Sequence, residues 1–146
     1  MDKYGHILVA VDYSHHCRIV AEKARQLASL HQAKLSLLHV LDNIPMPQMQ
    51  YGTIIPLDEL SDNALLEAEK NRLIELGKDL GISKDNCQLV WGMPKREITL
   101  FADRKDVDLI VVGSHGRHGI ALLLGSTANA VLHHAHCDVL SVRLKD

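Results

Sequence analysis

The sequence predicts an α/β layered fold built on a parallel sheet. Three observations carry that prediction. Short, β-branched apolar runs recur along the chain, amphipathic stretches of helical period lie between them, and the two alternate strictly. The runs are apolar on both faces, which suits strands buried between two helical layers.

The elements follow in order. "HILVAVD" (6–12) is the first strand. "SHHCRIVAEKARQLASLHQ" (14–32) is a helix whose apolar stripe runs through Cys17, Val20, Ala21, Ala24, Leu27, Ala28 and Leu30, with Ser14 as its N-cap. "AKLSLLHV" (33–40) is the second strand. The connector 41–59 carries three prolines, two methionines and a tyrosine. It reads either as a surface crossover or as a lid beside a ligand site.

The stretch 58–81 is the second helix, closing at Gly81 as a C-terminal glycine would. "CQLVWG" (87–92) is the third strand, and "PKREITLFADRK" (94–105) is a helix with Pro94 at its first position. "VDLIVVG" (107–113), "STANAVLHHA" (126–135, capped by Ser126) and "CDVLSVRL" (137–144) complete the pattern. Five parallel strands joined by right-handed crossovers result, as one domain over residues 1–146.

Composition narrows the function. The 146 residues are 47% hydrophobic and 23% charged, with Lys+Arg 16 against Asp+Glu 18 and a net charge of −2. No basic run appears, which excludes a general nucleic-acid footprint. No stretch reaches the roughly 20 apolar residues needed to span a bilayer. The opening "MDKYGHILVAVD" has too short an apolar run for a signal peptide. Cys17, Cys87 and Cys137 form no C-x-x-C pair, which fits a reducing cytoplasm.

Chemistry concentrates in "VVGSHGRHGIALLLGSTANAV" (111–131). Gly113, Gly116 and Gly125 permit close backbone approach. Ser126 and Thr127 stand at a helix start, where bare N–H groups and the positive end of the dipole attract anions. Phosphate fits best, and Arg117 would add a bidentate contact. A glycine-rich turn followed by an ordinary serine cap is the competing reading. Neither Walker A nor a dinucleotide fingerprint occurs: no Gly-Lys-Ser or Gly-Lys-Thr exists, and "VAVDYSHH" holds no glycine.

Four stretches together resemble the universal stress protein A family over nearly the whole chain: "ILVAVDYS", "AKLSLLHV", "GMPKREI" and the closing "VDLIVVGSHGRHG…LLLGSTANAVLHHAHCDVLSV". The resemblance implies a three-layer, Rossmann-like sandwich of the adenine nucleotide alpha hydrolase-like kind. Its five parallel strands run in spatial order 3-2-1-4-5, so that Asp12 and Gly113 become neighbours. The ATP-binding branch carries G-2x-G-9x-G-[ST]. Here Gly113, Gly116, Gly125 and Ser126 match, with eight residues rather than nine in the long gap.

By resemblance, Asp12 lies beside ribose or phosphates, Ala10 lines the base pocket and Val40 offers its backbone to adenine. Gly113, Gly116, Gly125, Ser126 and Thr127 hold ribose and phosphates of ATP, AMP or ADP. Read from the sequence alone, Asp12 is equally a cap for the helix that follows. The implied function is a cytoplasmic, nucleotide-binding stress-response homodimer, a sensor or regulator, paired through its last strand (138–144). A nucleotide-independent binding module and a slow ATPase are the alternatives. The ATPase would need magnesium held by the phosphates and Asp12.

His133, His134, His136 and Cys137 suggest metal, but adjacent helical residues point about 100° apart, and histidines suit a helix C-terminus anyway. His15, His16 and Cys17 earn the same discount. No Ser-His-Asp or Cys-His constellation stands out, so no catalytic residue is assigned.

Overall fold

The structure, a computed structural model, describes residues 3–13, 16–114 and 126–144. Eleven elements alternate much as the sequence predicts. The strands are β1 (His6–Val11), β2 (Lys34–Leu41), β3 (Thr53–Ile55), β4 (Cys87–Trp91), β5 (Leu109–Gly113) and β6 (Asp138–Val142). The helices are α1 (Cys17–His31), α2 (Ala64–Asp79), α3 (Pro94–Arg104) and α4 (Ser126–His134), and a 3₁₀ turn at Lys84–Asn86 leads into β4.

The sheet order is β3-β4-β2-β1-β5-β6. Its five parallel strands keep the expected 3-2-1-4-5 arrangement, since β1 pairs β2 and β5, β2 pairs β4, and β5 pairs β6. The expected count of five strands is corrected to six among the described residues. Thr53–Ile55 comes from the proline-rich connector and adds antiparallel to the outside of β4. The connector is thus anchored partly as sheet. The Trp91 indole donates to the Ile44 carbonyl, and Gly52 N–H donates to the Trp91 carbonyl.

β1, β2, β4 and β5 are largely buried on both faces because two separate cores flank them, whereas β6, at the sheet edge, is only part-buried, contrary to the expectation from its apolar run. Odd-numbered β1 residues (Ile7, Val9, Val11) join Val20, Ala21 and Ala24 of α1 and Leu66 and Leu73 of α2. On the other face Leu8, Leu38, Val40 and Val112 meet Ile98 and Phe101 of α3 and Ala128 and Val131 of α4.

Helix ends show where local chemistry won. The second helix, expected from residue 58, begins at Ala64, because the Asn63 side chain accepts from the N–H groups of Leu65 and Leu66. It ends as the glycine suggested. Gly81 has φ +72°, with Ile82 N–H donating to Gly77 and Gly81 N–H to Lys78, the paired bonds of a Schellman turn. The first helix starts at Cys17 after His16, whose side chain makes no capping bond, and the expected cap Ser14 lies outside the described residues. Pro94 opens α3 as expected. α4 is described from Ser126 onward, and the residue before it lies outside the described residues.

Candidate functional site at the carboxyl edge of the sheet

β1 and β5 lie side by side at the centre of the sheet, while β2 follows β1 on the opposite flank. This is the place where the chain's winding reverses, and in open α/β sheets ligands sit beyond the strand ends at such a point. The register fixes which residues meet. Val9 pairs with Val111, and carrying that register onward sets Val11 level with Gly113. Val11 pairs with His39, so Asp12 is level with Val40.

Ala10, Asp12, Val40 and Gly113 therefore gather along one edge, from three adjacent strands and the residue after β1. Ala10 is half-buried against the α3/α4 core, and Val40 is buried within it. Asp12 lies just past the strand, near the first turn of α1: burial, and secondarily the Asp12 carboxylate, raise the Cys17 thiol above its ordinary range.

Ser126 and Thr127 form the first turn of α4, which contains no acidic residue to neutralise its positive end. Thr127 lines a groove of ≈ 350 Å³ together with Asp42, Tyr51, Trp91, Gly92, Met93, Pro94 and Lys95. The α4 N-terminus thus reaches the ends of β2 and β4. Gly116, Arg117 and Gly125 lie outside the described residues, as does His15.

Sequence reasoning passed over the groove's own wall. Asp42 follows the second strand just as Asp12 follows the first, and that repetition was the available signal. Trp91 closes β4 and tilts against Tyr51, with ring centroids 4.8 Å apart. Beneath them the Glu97 side chain is 3% exposed and presses on both Gly52 and Gly92. A Cβ on Gly92 would stand 2.8 Å from the Glu97 Cγ, so the bare backbone there lets α3 pack under the groove.

A second groove of ≈ 340 Å³ lies between α1 and α2, lined by Tyr13, Cys17, Arg18, Asn71, Arg72, Glu75 and Leu76. Burial, then the neighbouring Glu69, push the Tyr13 phenol upward, so it remains protonated. Burial alone pushes the Cys87 thiol up to about 11. It likewise leads the rise at Cys137, followed by Asp103. Raised thiols are poor nucleophiles at neutral pH. At the histidine-rich end of α4, His136 Nδ1 lies 3.1 Å from Asp103, and among the described residues no three His, Cys, Asp or Glu side chains converge.

Comparisons with known proteins agree with this fold. The model of the universal stress protein family matches residues 3–143. The chain is 44% identical over 146 residues to universal stress protein A homolog 2 of Coxiella burnetii, covering 99% of each. Its fold superposes on the structure of MJ0577 with a TM-score of 0.76, at 25% identity and 99% coverage of both chains. A universal stress protein solved in complex with cAMP superposes with a TM-score of 0.62, at 26% identity, covering 97% of this chain and 98% of the other.

Proposed function

The chain belongs to the universal stress protein family, and from that membership we propose that it is an adenine-nucleotide-binding regulator of the stress response. The observation that carries this reading is the meeting of Asp12, Val40 and Gly113 at the switch point of the sheet. In the proposed complex the base lies against Ala10 and the Val40 backbone, Asp12 takes ribose or phosphate, and the α4 N-terminus at Ser126 and Thr127 takes the phosphates. Gly113, Gly116, Arg117 and Gly125 complete the proposed set.

The residues suit such a ligand. Ala10 has a small, partly buried side chain near the strand end, and the first turn of α4 carries hydroxyls and no carboxylate. A related structure holding cAMP supports an adenine nucleotide as the ligand class. ATP, ADP and AMP are the proposed occupants, with magnesium on the phosphates where these are present. We place the protein in the cytoplasm, as one domain over residues 1–146; among the described residues no helix is long and apolar enough to cross a membrane. β6 lies at an edge of the sheet, and we propose that it pairs with its copy in a homodimer.

Thermal unfolding with ATP, AMP and cAMP, with and without magnesium, tests the ligand. At 100 times its dissociation constant, a nucleotide adds about 2.7 kcal/mol of stability. The shift is expected to vanish in Ser126→Asp, whose carboxylate repels phosphate at the helix start. No shift at millimolar ATP with magnesium overturns the reading.

A further inference from the structure

Directly after Asp12 the chain does something costly. Tyr13 has φ 61°, in the left-handed region that a bulky side chain rarely occupies. Such a conformation persists only where its surroundings over-determine it, and it marks places where function requires the strain.

Four contacts supply that over-determination. The Tyr13 ring stacks on His39, with centroids 3.9 Å apart at an interplanar angle of 28°. The Tyr13 hydroxyl donates to the Glu69 carbonyl at 3.1 Å. The Arg72 guanidinium lies over the other side of the ring, 4.3 Å from its centroid. Arg72 Nη2 also donates to the Tyr13 carbonyl at 3.3 Å.

His39 grips the same turn from the sheet. It is 3% exposed, and its Nδ1–H donates to the Val11 carbonyl at 2.8 Å. A carbonyl only accepts, so Nδ1 carries a proton. On its other side, Nε2 faces the Glu69 carboxylate at 3.6 Å. Glu69 and Arg72 are three residues apart on α2 and share one helical face. Val11 and Tyr13, the residues on either side of Asp12, are therefore each held by side chains from the α1/α2 side of the sheet.

We propose that His39, Glu69 and Arg72 are positioning residues for nucleotide binding, holding Val11 and Tyr13 so that Asp12 is presented to the proposed nucleotide site and α2 is tied to its occupancy. This rests on the adenine-nucleotide reading above and adds a route by which bound nucleotide is felt on the far face of the sheet. Coupling of this kind is reciprocal. If α2 steadies Asp12, nucleotide at Asp12 steadies α2.

ATP affinity and amide hydrogen exchange test this together on the full chain. Arg72 is exposed, so Arg72→Met keeps the fold while removing the guanidinium from Tyr13. It is expected to weaken ATP roughly 5-fold or more and to speed exchange at residues 16–20. His39→Leu is expected to do the same. His39→Asn retains a donor at the Nδ1 position and is expected to restore affinity to within about twofold of wild type, which a merely space-filling role would not do. In wild type, ATP is expected to slow exchange around Glu69 and Arg72. Wild-type affinity in both Arg72→Met and His39→Leu overturns the positioning role while leaving the nucleotide reading intact. Absence of ATP binding by the wild type overturns that reading and this role with it. Unaltered exchange in Arg72→Met refutes the clamp irrespective of nucleotide.

Discussion

At the residue scale, His6 shows how burial writes a pH dependence into the fold. Its Nδ1–H donates to the Lys105 carbonyl at 3.0 Å, and the Ser36 hydroxyl donates to its Nε2 at 2.7 Å, so the neutral ring is fully used. Burial holds its pKa below the ordinary imidazole range, with the Lys105 carbonyl opposing and nearby Lys34 adding to the depression. As pH falls, the unfolded chain therefore takes up this proton before the folded one does. The stabilisation is complete above the ordinary histidine pKa of about 6.5 and is lost as pH falls through the lower folded value. Between pH 7 and pH 5 the melting temperature is expected to fall, and to fall less in His6→Gln. Equal slopes for the two proteins would remove His6 from the account.

At the scale of elements, the close approach of α2 to β4 depends on a glycine inside a helix. Glycine costs a helix interior about 1 kcal/mol relative to alanine. Yet a Cβ on Gly77 would stand 2.7 Å from the Cys87 Sγ and 3.4 Å from the Ile82 carbonyl. Overpacking a buried contact costs about 1–3 kcal/mol, which exceeds the propensity gained. Gly77→Ala is therefore expected to lower stability in urea unfolding. In a Cys87→Ala background the sulfur is gone, and the same change is expected to be neutral or stabilising. The two sites then show a coupling energy in a double-mutant cycle. Stabilisation by Gly77→Ala alone would mean that propensity, not packing, governs this contact.

The whole molecule has two unlike edges. β3 ends the sheet on one side as a strand of only three residues, too short to offer a useful template. β6 ends it on the other, and its pairing direction can be read from one bond: Ser114 N–H donates to the Val142 carbonyl, so Val142 turns its backbone inward to β5. Backbone groups alternate along a strand, which turns those of Ser141 outward. Proline is tolerated at an edge where its missing N–H would face outward. Ser141→Pro is thus expected to preserve the fold and yield a monomer in sedimentation. If the variant sediments as a dimer, the copies meet elsewhere.

How much of this was written in the sequence differs from feature to feature. The five parallel strands, the α2 terminus at Gly81 and the start of α3 at Pro94 were legible, because burial on both faces, a left-handed cap and a fixed φ each leave a local mark. The gathering of Asp12, Val40 and Gly113 was expected only through the family's strand order, since periodicity reports that a strand is buried and not which strand lies beside it. Thr53–Ile55 left no mark of its own; three residues become a strand only because β4 has a free edge at that spot. The groove joining Asp42 to Thr127, and the grip of His39 and Arg72 on Tyr13, bring together side chains far apart in the chain. Local sequence determined which segments bury which faces. Tertiary structure alone decided which of those segments meet, because contacts across such separations exist only once the chain has closed the loops between them.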